Sequence, residues 1–199
     1  MPSRTTELMA QAEVERVPVL VTDGWVRTSY DVIESLGRRG IPIHVVDRSP
    51  YAMCRYSRWT KSFHVVPNYY TEPAAYAAAV AEVAKKVGAR VLIPGHEDVV
   101  TLAAHADALP EGLGFAHPGF ERLRTANDKW EVTRICRGLG VPCAESFVPR
   151  SLEELRESAE SLAYPAVIKT RIGNAGKGVA IVADKRELVA RYAGIVDRF

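Results

Sequence analysis

The sequence predicts an α/β chain in two parts: a parallel-sheet unit over residues 17–118, then a small α+β unit over 119–199, behind a polar tail at 1–16. Three observations predict it. From Val17 short apolar runs alternate with amphipathic stretches at the spacing of β-α-β units, which places a parallel sheet between helical layers. After Pro118 the rhythm changes to helix, strand, helix, then two strands around a glycine-rich bend and a closing helix. At 199 residues the chain is long enough for a core in each part.

The elements follow in order. Val17–Thr22 is an apolar run, ended by Asp23-Gly24. Thr28 is placed to cap a helix through Arg39, with Val32, Ile33 and Leu36 on its inner face. Gly40 stops it, and Ile41–Val46 is the next strand, closed by Asp47. A loop rich in Arg and Tyr leads to a short strand at Phe63–Val66. Pro73 opens a helix to Val87 whose apolar positions Tyr76, Val80, Val83, Ala84 and Val87 keep helical spacing. Gly88 ends it, Arg90–Pro94 is a strand, and Gly95-His96-Glu97-Asp98 turns into a helix with Val99, Leu102, Ala103 and Ala106 inward. Gly114–His117 is the last expected strand of this part.

In the second part a helix from Asp128 to about Leu139 is expected to bury Val132, Ile135, Cys136 and Leu139, with Gly140 closing it. Val141–Val148 reads as a strand with Pro142 near its edge. Ser151 caps a helix with Leu152, Leu155, Ala159 and Leu162 inward. Strands at Tyr164–Thr170 and Val179–Ala183 flank the glycine-rich loop, and a helix runs from Lys185 to Phe199.

Composition narrows the function classes. With 47% hydrophobic and 25% charged residues the chain is an ordinary globular one. Its 26 basic and 24 acidic residues leave a net charge of +2 with no concentrated basic run, so neither nucleic acid nor a membrane surface is expected as a partner. Residues 1–16 lack an apolar signal core, and three scattered cysteines without metal-ligand spacing (Cys54, Cys136, Cys143) fit reduced thiols in the cytoplasm.

The chemistry concentrates in Lys169-Thr-Arg-Ile-Gly173-Asn-Ala-Gly176-Lys177-Gly178-Val179. Glycine backbone can aim successive N–H groups at a phosphate without a side chain intervening. A Walker A loop requires Gly-Lys-Ser/Thr running into a helix, and the dinucleotide fingerprint requires a glycine turn opening one. Here Gly176-Lys177 is followed by Gly178 and a strand, so both are excluded. Two readings stay open, a phosphate lid and a plain hairpin turn. Two lysines favour the first. Lys169 stands in an otherwise apolar strand, facing inward or toward a groove. Lys129 lies in a first helical turn, where the dipole disfavours a cation unless an anion binds nearby.

Asn127-Asp-Lys129, Gly138-Leu-Gly-Val-Pro142, Tyr164-Pro-Ala-Val-Ile-Lys169 and Gly173–Gly178, in that order and spacing, resemble the ATP-grasp superfamily, and the upstream array resembles its Rossmann-like pre-ATP-grasp domain. The resemblance covers nearly everything after Val17. It implies that Lys129 and Lys169 contact the phosphates of ATP. It also implies that Gly173, Asn174, Ala175, Gly176, Lys177 and Gly178 form the lid over them. The activity implied is a carboxylate–amine ligase: Mg-ATP converts a carboxylate to an acylphosphate, which an amine then attacks. The Val-Thr-Asp-Gly24 turn, the Asp47–Arg58 loop and the His96-Glu-Asp98 turn resemble the carbamoyl-phosphate-synthetase-like, or predicted carboligase, branch.

Gly24, His96, Glu97 and Asp98 stand where strands of open α/β sheets end, which makes them substrate-side candidates; the acids suit a helix start equally well. The resemblance puts the catalytic residues and the Mg2+ ligands in a second ATP-binding half beyond Phe199. The chain is therefore expected to be the front part of a ligase, inactive alone, whose full form is a possible homodimer acting on small molecules. Two alternatives stand beside it: a bicarbonate-using ATP-grasp carboxylase, and a Rossmann-type dinucleotide-binding protein with Asp47 toward a ribose, which Gly24 supports with one glycine where three are wanted.

Overall fold

A computed structural model describes residues 16–173 and 178–196. The chain divides into two units, Met1–Phe120 and Glu121–Phe199.

The first unit is built on β1 (Val19–Val21), β2 (Ile43–Asp47), β3 (Thr60–Val65) and β4 (Val91–Ile93), all parallel in the order β3-β2-β1-β4. Strand side chains alternate between faces, so the sheet has two cores. Val19, Val21, Ile43 and Val45 meet Ile33 of α1 (Arg27–Gly37) on one face. Leu20, Val46 and Leu92 meet Tyr76, Val80 and Ala84 of α2 (Pro73–Val87) and Leu102 of α3 (Asp98–Ala104) on the other. Each fully buried Leu, Ile or Val contributes about 1.5–3 kcal/mol, which is why continuous apolar strands need helices on both sides.

Helix α2 matches the expected boundaries, and its stop has a clear cause. Gly88 turns left-handed at φ 65°, and its N–H donates to the carbonyls of Ala84 and Lys85. Two expectations for this unit are corrected. Thr28 does not cap α1: the N-cap is Val26, and the Thr28 hydroxyl instead donates to the Gly95 carbonyl at 2.8 Å. The strand expected at Gly114–His117 reduces to one parallel bridge between Gly114 and Val91. Beyond it Phe115 and His117 stack on each other at 4.4 Å.

The second unit contains α4 (Phe120–Asn127), α5 (Lys129–Gly138), α6 (Leu152–Ser158), the antiparallel pair β5 (Ala166–Lys169) and β6 (Val179–Val182), and α7 (Lys185–Val196). Its core is Leu155, Ala159, Val182 and Leu188, flanked by Ala166 and Ile168 from the inner face of β5. Ser151 caps α6 by accepting from Glu154 N at 3.1 Å, and the Glu154 carboxylate accepts from Arg150 N at 2.7 Å, so both chain directions at that helix start are tied.

Three features differ from expectation here. Helix α4 was not foreseen, because Glu121, Arg122 and Arg124 thin its apolar pattern to Phe120, Leu123 and Ala126. Val141–Val148 is not a strand: among the described residues no strand pairs with it, and the Arg137 guanidinium instead donates to the carbonyls of Ala144 and Ser146. The apolar positions of α5 are not buried. Val132, Ile135 and Leu139 are exposed, and Val132, Ile135 and Cys136 line an open hollow of about 410 Å³ with Thr125 and Ala126 of α4. Helical spacing identifies an apolar stripe but not whether anything covers it.

Candidate nucleotide site

Asp128 is the N-cap of α5. Its Oδ1 accepts from Trp130 N at 2.9 Å and Glu131 N at 3.3 Å, satisfying two amides that have no partner within the helix. The same carboxylate accepts from both ends of the Arg171 guanidinium, through Nε to Oδ1 at 3.2 Å and through a second nitrogen to Oδ2. Arg171 lies two residues beyond β5. The guanidinium bond, reinforced by the two amides, holds the Asp128 carboxyl below the usual carboxylate range, and Asp128 in turn raises Arg171.

Lys129 joins the same place from the next position. Its backbone N–H donates to the Arg171 carbonyl at 3.0 Å. Its ammonium donates to the Gly173 carbonyl at 2.7 Å and the Arg171 carbonyl at 3.4 Å. These partners are neutral dipoles, and among the described residues Lys129 forms no ion pair, whereas the Arg171 guanidinium is paired with Asp128. Gly173 (φ 131°) and Gly178 (φ 71°) bracket the bend in backbone conformations that favour glycine. A Cβ on Gly178 would stand 2.6 Å from Thr170 Cγ2, and Thr170 N donates to the Gly178 carbonyl at 2.9 Å. Asn174, Ala175, Gly176 and Lys177 lie outside the described residues.

Lys169 pairs across the hairpin with Val179. Of the two expected orientations, inward or toward a groove, the inward one is corrected: alternation along β5 turns Ala166 and Ile168 to the core and puts Lys169 with Val167, Val179 and Ile181 on the opposite, exposed face. Of the two lysines, only Lys129 is hydrogen-bonded to the bend among the described residues.

The substrate-side candidates belong to the first unit, at the carboxyl ends of its strands. Asp98 is fully buried and acts as an internal acceptor, for the Thr22 hydroxyl, the Tyr76 hydroxyl at 2.8 Å and His96 N at 3.0 Å. Burial raises its pKa, with those hydrogen bonds opposing. Gly24 is a close approach: a Cβ there would meet Val45 Cγ1 at 2.8 Å. Glu97 accepts from the Tyr70 hydroxyl at 2.7 Å. His96 Nδ1 is 4.0 Å from the carboxylate of Asp23, a residue at φ 49° whose pKa burial, then repulsion from Asp98 and Asp47, pushes up to about 6. Asp47 is 2% exposed and accepts from Trp25 N at 2.8 Å and Ser49 N at 2.6 Å. Buried in this way, Asp47 is not presented to a ligand as the ribose contact of the dinucleotide alternative requires. Among the described residues no group of three or more His, Cys, Asp or Glu side chains is placed to hold a metal ion.

The structure brings Lys129 beside Gly173, as the sequence pattern expects, and adds Arg171, which the pattern does not single out. Its partner lies 43 positions away, and nothing in a linear pattern announces that pairing.

Residues 128–197 match the family described as carbamoyl-phosphate synthase L chain, ATP binding domain. Over 116 residues the chain is 31% identical to the mitochondrial methylcrotonoyl-CoA carboxylase subunit alpha of Oryza sativa subsp. japonica, covering 57% of this chain and 16% of that protein. The fold is shared with an L-amino acid ligase from Bacillus licheniformis (TM-score 0.70, 16% identity, 90% of this chain and 42% of that one). It is shared equally with the biotin carboxylase domain of the Hydrogenobacter thermophilus 2-oxoglutarate carboxylase (TM-score 0.69, 21% identity, 90% and 40%). The chain thus spans less than half the length of these relatives. Four parallel strands, followed by a unit whose residues 128–197 match this ATP-binding family, bear out the resemblance to the ATP-grasp superfamily for part of the chain.

Proposed function

We propose that this chain supplies the first half of an ATP site in a carboxylate–amine ligase that forms an acylphosphate. The observation that supports this most directly is Lys129, whose ammonium is fixed by neutral carbonyls at the mouth of the glycine bend and so keeps its charge for a polyphosphate. Gly173 and Gly178 leave the backbone free of side chains there. The exposed hairpin face carries the apolar side chains Val167, Val179 and Ile181, suited to a nucleobase, with Lys169 beside them as a second cation for the phosphates. Phosphoryl transfer needs little covalent chemistry from protein, and positioning with charge neutralisation does most of it.

Mg2+ would neutralise the phosphate oxygens. The Hydrogenobacter domain is described in complex with MgADP and bicarbonate, which favours the same cofactor here. The described residues offer no ligand set for the metal, so no residue of this chain is assigned to it. On the substrate side we place His96 and Glu97 beside the Gly24 turn, with Asp98 supporting that edge from inside. The three cysteines are free, consistent with a cytoplasmic setting, and the related domain is a dimer, which favours a homodimer here.

The names of the carboxylase relatives favour a second reading, in which bicarbonate is the carboxylate activated. The test is MgADP retention by the chain in equilibrium dialysis: Lys129→Ala is expected to weaken it at least about tenfold, the loss of one charge-assisted contact. Equal retention by the variant would overturn the nucleotide assignment. ADP formation stimulated by an amino acid pair, or by bicarbonate alone, separates the two readings in the protein that contains this chain.

A further inference from the structure

We infer that the Arg171–Asp128 pair is a positioning latch, which holds the mouth of the glycine bend on the first turn of α5 and thereby sets where the Lys129 ammonium lies. The inference rests on the nucleotide reading for its functional meaning but not for its geometry. Asp128 binds the start of the helix with one set of contacts, to Trp130 N and Glu131 N, and the guanidinium of Arg171 with another. Arg171 is thus fastened by its side chain to Asp128 and by its carbonyl to the Lys129 N–H and ammonium. Three connections between the same two short segments define a rigid joint, where any one alone would leave a swivel. Glu131 adds a weaker partner, its carboxylate 3.8 Å from the guanidinium. The fork of arginine matches a carboxylate at two points, which fixes orientation as well as distance.

The charge arrangement separates this role from direct ligation. Asp128 puts a carboxylate in the neighbourhood of a proposed polyphosphate site, which simple electrostatics disfavours. If Arg171 acted on phosphate itself, removing the Asp128 charge would free it and tighten binding. If the pair is a latch, the same change loosens the bend, displaces Lys129 and weakens binding. The two ideas predict opposite signs.

Asp128→Asn makes the comparison clean, because asparagine caps a helix as well as aspartate and only the ion pair is lost. In the 199-residue chain, MgADP dissociation constants are expected to rise about threefold to tenfold in Asp128→Asn and in Arg171→Met, a range set by the half-exposed position of Arg171. The double variant is expected to be no worse than either single one, since both remove the same contact. Hydrogen exchange of the Lys129 amide, which donates to the Arg171 carbonyl, is expected to quicken by a similar factor while the amides of β6 stay protected. Should Arg171→Met lose protection throughout the unit, Arg171→Lys, which keeps the charge but not the fork, takes its place. Tighter nucleotide binding by Asp128→Asn, or unchanged Lys129 exchange in both single variants, overturns the latch. A wild-type chain that retains no MgADP, with Lys129 exchange quickened in the variants, sinks the nucleotide reading and leaves the latch standing.

Discussion

Asp23 gives the first unit a stability that runs against the usual direction of acid denaturation. Its carboxyl is displaced from 3.8 to about 6 by burial and by the neighbouring Asp98 and Asp47. The native state therefore holds the proton more tightly than the unfolded chain. Stability from this group is fully present below about pH 4, and it is lost as pH rises through 6. At about 1.36 kcal/mol per pKa unit the full loss is about 3 kcal/mol, of which about 2 kcal/mol falls between pH 4.5 and pH 8. Asp23→Asn keeps the size, removes the charge, and tolerates the φ of 49° because asparagine adopts that region readily. Relative to wild type, the variant should gain about 2 kcal/mol on moving from pH 4.5 to pH 8. Urea unfolding in a Trp130→Phe background, read through Trp25 and Trp59, isolates the first unit. A stability difference between the two proteins that is the same at both pH values would refute the reasoning.

Two further predictions concern the same unit. Tyr76→Phe deletes a donor to the fully buried Asp98 and leaves one carboxylate lone pair unsatisfied, so the unit should lose about 1–3 kcal/mol, measurable by the same unfolding assay. Gly95→Ala places a Cβ 2.0 Å from Ser29 Oγ and 2.5 Å from the Thr22 carbonyl; backbone cannot yield as a side chain can, and a loss of about 3 kcal/mol or more in Tm-derived stability is expected.

The parallel sheet was legible because buried strands leave a signal that requires no partner information: four apolar runs, three of them followed by a turn and a helical period. Pro73 and Gly88 fixed α2 at both ends for purely local reasons, dihedral restriction at one and left-handed freedom at the other. Legibility ended where structure depends on something distant. Lys169 could be assigned to a strand but not to a face, because the apolar residues of β5 occupy both sides. The stripe of Val132, Ile135 and Leu139 predicted a helix correctly and its burial wrongly, since burial is decided by what packs there. Thr28 has the side chain of a cap, yet its hydroxyl went to Gly95, 67 positions away.

The electrostatics of the two units differ in a way that bears on where a nucleotide can bind. In the first, the strand ends carry three carboxyl groups, Asp23, Asp47 and Asp98: Asp98 accepts from two hydroxyls and an amide, Asp47 from two amides, and Asp23, its pKa pushed up to about 6 by burial, lies beside His96. A phosphate approaching those carboxylates gains nothing from them. In the second, Asp128 pairs with Arg171, while the neighbouring Lys129 is held by carbonyl oxygens that orient it without cancelling its charge. A cation fixed in place but electrically unspent is what an anion site requires, because the cost of ordering the side chain is met before the ligand arrives. That asymmetry, more than the number of glycines, supports placing the proposed anion site at the start of α5 and not at the sheet.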